Sequence, residues 1–450
     1  MKALGNHAAP MPRVLFLSPS ASARGGFESV LRNLCRGLPD FGWEAVIGLA
    51  RGGAFHDPAR FLDGGPPLNA VALDGTRGTF LARRRAIENA VRTLAPDVVV
   101  GARLFDAIPA MNSLRAGGLR TPFVEMVGSW DPDLFSDLRR YRDIVDFCVV
   151  DSRLPELAIS GLCGIPPERV RRIPTGIARQ ESPERVPGGP TLRICHVGRL
   201  DDSDKRACDI VPFVRELERR GVDFTLTVAG DGRDRAGIES QLCDEVAAGR
   251  VVFRGWLSAP DLHALFPGQD VLVQFSPSEG LTISPREGMA RGVVPVLSEF
   301  IGFFTEGLFR PEFNALSFPV GRIEDACDCI ERLQHDRDLL ARLSENARTS
   351  QSGALIAPDD IRAWAGFLHE AASTRSAGPA AGVTFPDDSG RLDRLPGIAR
   401  DLLRKFSRHS HSEPGGEWPH ASGWTTEPER REFEMFALEQ EKLCAGSLGI

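Results

Sequence analysis

Two glutamates, Glu279 and Glu287, flank a run of small and polar residues that follows an apolar segment at 270–275. The apolar segment is typical of a buried strand, and the residues after it are typical of a loop that leads into a helix. Free backbone amides and the positive end of the helix dipole meet at a helix start, where they favour anions. Two acids around an anion site suit a ligand with hydroxyls at both ends and phosphates between them, which is the layout of a nucleotide sugar.

Each glutamate also has a purely structural interpretation. Ser284-Pro285-Arg286-Glu287 fits a capping box, in which the serine caps the helix and Glu287 bonds back to the cap. In that interpretation Glu287 serves the helix and contacts no ligand. Glu279 precedes a glycine in a loop, and its alternative is simple exposure to solvent. The residues alone leave both alternatives open.

Two cations follow the predicted strand at 192–197. Gly198 is followed by Arg199, and Lys205 lies six residues further on. An arginine fork and a lysine point charge at the end of a strand suit the two phosphates of a diphosphate. The alternative is an ordinary solvated loop, because three aspartates lie between the cations: Asp201, Asp202 and Asp204.

Glycines stand at the ends of further predicted strands. Such residues let a backbone approach a ligand closely, but they also form ordinary turns. We count four of them as candidate binding positions: Gly25, Gly26, Gly230 and Gly255. The pair Gly25-Gly26 opens a predicted helix, although the sequence around it lacks the G-x-G-x-x-G pattern of a dinucleotide site.

Strands and helices alternate twice along the chain, and a polar stretch rich in proline and glycine separates the two series. This alternation predicts two facing, doubly wound, Rossmann-like α/β domains with a ligand between them. The predicted parts are a first domain at 12–178, a linker at 179–190, a second domain at 191–357, a helix at 358–372 that crosses back to the first domain, and a tail at 373–450.

The tail is rich in serine, glycine, proline, histidine and charge, a composition that predicts a flexible, loosely attached segment. Helical periodicity nevertheless predicts two short helices, near 392–406 and 428–444. The first is basic and amphipathic. It suits either a docking helix for a partner or a membrane surface, or a plain surface helix.

Bulk properties restrict the class of protein. A net charge of −7 and a pI near 5.8 argue against a nucleic-acid binder held by a global basic field. Nine cysteines without a C-x-x-C pair indicate a reducing compartment and no structural zinc. No signal peptide or membrane span is predicted. These features predict a cytoplasmic protein, with peripheral contact at the inner membrane face left open.

Residues 12–372 resemble a retaining glycosyltransferase of the GT-B fold, of the family-4 type. The resemblance rests on six motifs that occur in the order and spacing of that family. They are Gly25-Gly26-Phe27-Glu28, Ile173-Pro174-Thr175-Gly176, Gly198-Arg199 with Lys205, Ala229-Gly230-Asp231-Gly232, Phe253-x-Gly255, and Glu279-x7-Glu287 continued by Gly288-Met289-Ala290.

The resemblance implies a role for each matching position. Arg199 and Lys205 hold the donor diphosphate, Glu279 contacts donor-sugar hydroxyls, and Glu287 contacts the ribose. The other implied donor contacts are the amides of Gly280, Leu281 and Thr282 on the phosphates and the backbone at Gly26 beneath the donor. The family needs no metal and no cofactor, since the donor phosphate itself assists the acceptor.

The chain departs from the family in two places, and one is Gly288, where the family usually has alanine after the second acid. Many relatives carry a histidine after the strand that corresponds to Phe123–Val127, whereas Gly128 to Asp131 contains none. The leading hypothesis is sugar transfer from a nucleotide diphosphate sugar to a glycan or lipid-linked acceptor. The missing histidine motivates an alternative, a non-catalytic GT-B subunit that binds nucleotide sugar or glycan. An epimerase or phosphorylase on the same architecture is a third hypothesis.

Overall fold

A computed structural model describes residues 11–22, 24–63, 66–177, 189–351, 357–386 and 414–448. Two sheets organise these residues, one in each half of the chain. Among the described helices, none is both long and apolar enough to cross a membrane. The predicted linker at 179–190 falls almost entirely outside the described residues, so its limits stay a prediction.

Seven strands form the first sheet, in the order β3-β2-β1-β4-β5-β6-β7. All neighbours pair in parallel, and the central strands β4 and β5 are buried along their length, as expected of a parallel sheet with helices on both faces. The strands are β1 Arg13–Ser18, β2 Glu44–Arg51, β3 Ala70–Asp74, β4 Val98–Ala102, β5 Phe123–Val127, β6 Phe147–Val150 and β7 Val170–Arg172. The helices between them are α1 Gly26–Gly37, α2 Pro58–Leu62, α3 Phe80–Leu94, α4 Ala107–Ala116, α5 Pro132–Tyr141 and α6 Arg153–Leu162.

Six parallel strands form the second sheet, in the order β10-β9-β8-β11-β12-β13. They are β8 Leu192–Val197, β9 Phe224–Ala229, β10 Val251–Gly255, β11 Val271–Gln274, β12 Val294–Ser298 and β13 Leu316–Phe318. The helices are α7 Asp202–Lys205, α8 Ile210–Arg219, α9 Arg235–Gln241, α10 Cys243–Ala247, α11 Ala259–Leu265, α12 Ile283–Met289, α13 Ile323–His335 and α14 Arg337–Ser350. Two doubly wound α/β domains are therefore confirmed.

Helix α15, Ala357–Ser373, returns to the first domain. Its buried residues Trp364 and Phe367 join the apolar core that also contains Phe16 and Trp43. The rings of Phe16 and Trp364 meet edge to face with centroids 6.2 Å apart. This helix confirms the predicted crossing, and burial of its aromatic face ties the end of the second domain to the first.

Residues 414–448 are attached more firmly than their composition indicates. They contain α16, Pro414–Glu417, and α17, Glu427–Leu448, which confirms the helix predicted near 428–444. On α17, Phe433 is fully buried against Phe135 of α5, with ring centroids 5.5 Å apart. The basic helix predicted at 392–406 lies outside the described residues.

The far end of α17 reaches the second domain. The carboxylate of Glu441 accepts hydrogen bonds from the Phe304 backbone N–H at 2.7 Å and from the Thr305 backbone N–H at 3.3 Å, and the Thr305 hydroxyl also donates to it. Nearer its start, α17 pairs Arg430 with Asp133 of the first domain at 2.8 Å. One helix thus contacts both domains.

Candidate active site in the cleft between the sheets

The loops at the carboxyl ends of the two sheets face each other. A Cβ atom added at Gly26, at the start of α1, would lie 3.7 Å from Cδ1 of Ile283 at the start of α12. A Cβ added at Gly25 would lie 3.8 Å from an Arg199 guanidinium nitrogen. Parallel sheets bind ligands at these ends of their strands. The predicted positions on the two domains therefore border one cleft.

Lys205 and Glu279 meet in this cleft although 74 positions separate them. Lys205 Nζ donates to Glu279 Oε1 at 2.5 Å, and both side chains are largely buried. Neither residue is explained by simple exposure to solvent, the alternative that the sequence left open. Their contact places a cation beside Glu279, one of the two glutamates predicted to bind the donor.

Arg199 extends from the end of β8 toward the first domain. Its guanidinium lies 3.4 Å from the carboxylate of Asp204, and its Nε is buried without a hydrogen-bond partner among the described residues. An unsatisfied buried donor is costly unless something binds it. Arg199 thus offers a free donor at the edge of the cleft.

Glu287 does not cap its helix. Helix α12 begins at Ile283 with Thr282 as N-cap, and Thr282 makes no side-chain capping bond. Ser284, expected to be the cap, lies inside the helix and donates to the Val197 carbonyl at 3.2 Å. The carboxylate of Glu287 lies 3.2 Å from His263 Nε2. The capping-box interpretation is therefore wrong, because the helix starts two residues earlier than the motif requires.

Gly198, Gly230 and Gly255 lie at the ends of three neighbouring strands. The Gly230 backbone N–H donates to the Gly255 carbonyl at 2.8 Å, and a Cβ at Gly230 would collide with the Gly198 carbonyl oxygen. Gly255 has a φ of +66°, which L-residues rarely adopt. Close packing of the strand ends explains these glycines. Their contact with a ligand stays a prediction.

The loop at Gly280, Leu281 and Thr282 contacts the first domain. A Cβ at Gly280 would collide with the Gly128 carbonyl oxygen and would lie 3.2 Å from both carboxylate oxygens of Asp151. Leu281 and Thr282 are buried, at 7% and 6% exposure. The predicted phosphate amides therefore lie where the two domains touch.

Asp151 is a buried acid near the cleft that the sequence patterns did not predict. It follows β6 directly, and the backbone N–H of Leu281 donates to its side chain. Burial raises the pKa of Asp151 to about 7, against smaller opposing effects from hydrogen bonds. An acid directly after a buried strand is the signal in the sequence that points to it.

Two further buried polar residues adjoin the cleft. Arg286 on α12 donates to the Thr175 carbonyl at 2.7 Å, which links the second domain to the Pro174-Thr175-Gly176 motif. His196 on β8 keeps its Nε2 without a partner among the described residues. Burial, with a smaller contribution from Lys205, lowers the pKa of His196 to about 4, so this imidazole is neutral near pH 7. Arg286 lies within Glu279-x7-Glu287, but that motif assigns it no role, and His196 belongs to no motif with recognisable spacing.

One group of described side chains has the composition of a metal site. Oxygen or nitrogen atoms of Asp131, Asp133 and His420 lie within 4.8 Å of one another. Asp131 already caps α5 by accepting from the backbone N–H groups of residues 133 and 134 at 3.1 Å. Asp133 already pairs with Arg430. These engagements account for the two acids without an ion.

Two family sequence models match the chain. "Glycosyltransferase Family 4" matches residues 24–181, and "Glycosyl transferases group 1" matches residues 180–350. The chain is 29% identical over 174 residues to 2-deoxystreptamine glucosyltransferase of Streptomyces kanamyceticus, over 38% of this chain and 44% of that enzyme. The chain spans about half the length of the curated relatives it matches.

Solved structures share the fold at low identity. HepE of Anabaena in complex with UDP-glucose superposes with a TM-score of 0.62 at 16% identity, over 80% of this chain and 99% of that chain. Sucrose-phosphate synthase of Thermosynechococcus elongatus gives 0.65 at 16% identity, over 80% and 98%. The matched family models and the shared two-domain architecture show that this chain belongs to the glycosyltransferases of the GT-B fold.

Proposed function

We propose that the protein transfers a sugar from a nucleotide diphosphate sugar to a glycan or lipid-linked acceptor, with retention of anomeric configuration. The observation that carries the proposal is the contact of Lys205 with Glu279, together with Arg199, which reaches toward Gly25 of the opposite domain. The cations suit a diphosphate, and the acid suits sugar hydroxyls. The complex of HepE with UDP-glucose supports a donor of this class.

Charge development explains why these cations matter for the reaction. As the bond between sugar and diphosphate breaks, negative charge grows on the departing phosphate. Arg199 and Lys205, whose side chains are partly buried, offset that charge, and such preorganised charges stabilise a transition state strongly. In the structure Lys205 pairs with Glu279. Donor phosphates would take the place of this carboxylate as the lysine's partner.

The two acids then serve opposite ends of the donor. Glu279, released from Lys205, binds hydroxyls of the sugar. Glu287 binds the ribose hydroxyls, and His263 at 3.2 Å holds its carboxylate in place. The amides of Gly280, Leu281 and Thr282 bind phosphate oxygens between them, and the backbone at Gly26 supports the donor from the first domain.

We propose that transfer needs neither a metal ion nor a cofactor. The two cations at 199 and 205 supply positive charge where a divalent ion would otherwise be required. Chelation with EDTA is therefore expected to leave the rate of transfer unchanged. A rate that falls on chelation and returns with added Mg²⁺ would contradict this part of the proposal.

We also place the reaction in the cytoplasm. All nine cysteines are free, and six of them are buried. Free buried thiols are typical of proteins in a reducing compartment. The acceptor is recognised on the first domain, opposite the cations. A matched relative carries the name 2-deoxystreptamine glucosyltransferase, which makes that aminocyclitol a suitable first probe.

The experiment is a donor and acceptor screen on the full chain. UDP-, GDP-, ADP- and dTDP-sugars are tested with 2-deoxystreptamine, free hexoses and lipid-linked glycans as acceptors. Proton NMR of the product reports its anomeric configuration, which we expect to match that of the donor. A product of opposite configuration would contradict retention and would point to Asp151 as a general base. Donor binding without transfer or hydrolysis would favour the non-catalytic subunit.

A further inference from the structure

Segment 417–422 of the tail crosses the carboxyl edge of the first sheet. Trp418 Nε1 donates to the Arg51 carbonyl at the end of β2, at 3.1 Å. The Pro419 carbonyl accepts from the Phe105 N–H after β4, at 3.0 Å. The segment therefore lies across the loops where a parallel sheet binds its ligand.

The segment is built into the domain and does not merely rest on it. The buried carboxylate of Glu417 accepts from the backbone N–H groups of residues 54, 55 and 56 at 2.7, 2.8 and 3.0 Å. His56 Nδ1 lies 3.0 Å from the same carboxylate. A Cβ at Gly52 would collide with Glu417, and one at Gly75 would collide with the Trp418 ring. Glycines at the ends of β2 and β3 thus leave the room that the tail occupies.

His420 is the polar group that this segment presents outward. Its side chain is 48% exposed, and its Nε2 lies 3.9 Å from Asp131 Oδ2 in the loop after β5. That loop also carries Gly128, whose carbonyl oxygen lies against Gly280 of the second domain. The loop itself contains no histidine. The tail therefore places an imidazole beside the same loop that contacts the proposed donor site.

The other described histidines are engaged elsewhere. His56 and His196 are buried, Trp43 donates to His369, and His263 contacts Glu287. His335 lies on the surface of α13, where its ring contacts the carbonyl of its own helix at Glu331. Within the described part of the chain, only His420 is both exposed and located at the carboxyl edge of the first sheet.

We propose that segment 417–422 forms the acceptor-side wall of the cleft and that His420 hydrogen-bonds a hydroxyl of the acceptor. The inference rests on the proposed sugar transfer. The donor groups occupy the second domain, and the wall occupies the facing edge of the first. His420 is an acceptor-binding residue in this account, and Glu417 and Trp418 position it.

Steady-state kinetics test the wall, with the donor and acceptor that give the fastest transfer in the screen above. His420→Ala is expected to raise the KM of the acceptor about tenfold, the effect of losing one hydrogen bond to a bound ligand. The Kd of the donor should stay unchanged, since no donor contact is altered. His335→Ala is the matched control, because it removes a surface imidazole remote from the first sheet.

A second variant tests the wall without changing the tail itself. Gly75→Ala adds a methyl group against Trp418, which should displace segment 417–422, raise the acceptor KM and increase hydrolysis of the donor by water. Circular dichroism checks that this variant is folded. Acceptor KM values within twofold of wild type in both variants would overturn the inference while leaving the proposed function intact. A wild type that transfers from no donor overturns the proposed function and this inference with it.

Discussion

In the proposed transfer reaction, the chemistry depends most directly on the side chain of Glu279. Its carboxylate lies 2.5 Å from Lys205 Nζ at the edge of the cleft, and both side chains are largely buried. A carboxylate that shares its cation with an incoming phosphate is free to bind hydroxyls once the phosphate arrives. Sugar transfer in this site therefore requires Lys205 to exchange the carboxylate of Glu279 for a donor phosphate.

Replacement of Glu279 tests that event. Glu279→Ala should lower kcat about a hundredfold, the usual cost of a transition-state contact, with little change in thermal stability. Glu299→Ala is the control, because Glu299 is an exposed glutamate of the same domain. Transfer rates from product chromatography decide the outcome. Equal losses of kcat in the two variants would show that Glu279 does not take part in the reaction.

A buried acid outside the cleft makes stability depend on pH. Glu125 on β5 is 2% exposed, and burial together with nearby Asp137 raises the pKa of Glu125 to about 8. The folded state therefore keeps a proton that the unfolded state releases above its ordinary pKa of 4.5. The contribution of this group to the free energy of unfolding is complete at low pH and decreases as the pH rises from 4.5 to 8. The decrease amounts to several kcal/mol, because each unit of pKa difference corresponds to about 1.4 kcal/mol.

Glu125→Gln should abolish that slope, because the amide has nothing to ionise. The midpoint of thermal unfolding is measured at pH 5, 6.5 and 8, and the variant should lose less stability over this range than wild type. Glu168→Gln, at an exposed glutamate of the same domain, should behave like wild type. A Glu125→Gln curve parallel to that of wild type would show that Glu125 is ionised in the folded protein.

Local sequence patterns predict the strands and helices well, but they do not predict contacts between residues that are distant in the sequence. Alternating apolar runs and amphipathic stripes are local, so the strands and the crossing helix could be read from sequence. Glu287 could not be understood in this way, since its partner His263 lies 24 residues earlier on another helix. The helical stretch after β9 is divided in the structure into Arg235–Gln241 and Cys243–Ala247.

The tail shows the same limit more strongly. Its composition predicts loose attachment, and its contacts lie hundreds of positions away, as between Trp418 and Arg51. No periodicity or motif within 414–422 predicts that Glu417 accepts hydrogen bonds from three backbone amides of the first domain. Two buried side chains, Glu417 and Trp418, attach this segment to the first domain, without any repeating pattern of apolar residues. Contacts of this kind can be recognised only in the folded structure, because their partners are distant in the sequence.

Helix α17 offers a direct test of that attachment. Phe433→Ala removes a fully buried ring that packs on Phe135, which should cost about 3–5 kcal/mol and release the helix. Trypsin should then cut faster at Arg430 and Arg431 near the start of α17. Met435→Ala, at a side chain 67% exposed on the same helix, is the matched control. Unchanged cleavage in Phe433→Ala would mean that other contacts hold the helix.

For the whole molecule, the important relation is the one between the two domains. Arg286 reaches the Thr175 carbonyl, and the Gly280 loop meets Gly128, so the proposed donor site lies where the halves touch. Helix α15 and helix α17 both connect the second half of the chain to the first domain. Any movement of one domain relative to the other must therefore break or shift these contacts.

Glu441 on α17 should restrain that motion. Glu441→Ala removes the acceptor for the backbone N–H groups of Phe304 and Thr305. Hydrogen exchange at these two amides should accelerate about tenfold, because each loses a hydrogen bond to a charged group. Glu439→Ala, at an exposed glutamate on the same helix, serves as control. Equal exchange in the variant and the control would show that α17 does not hold the second domain.

Donor binding tests whether Arg199 and the residues around it form a nucleotide-sugar site. Isothermal titration of the wild type with the panel of nucleotide sugars should show binding of at least one, and Arg199→Ala should weaken that binding tenfold or more, since it loses charge-assisted hydrogen bonds to phosphate. Arg219→Ala, at an exposed arginine of the same domain, should bind as wild type does. A wild type that binds no nucleotide sugar, or an Arg199→Ala variant that binds as tightly as wild type, would contradict the account.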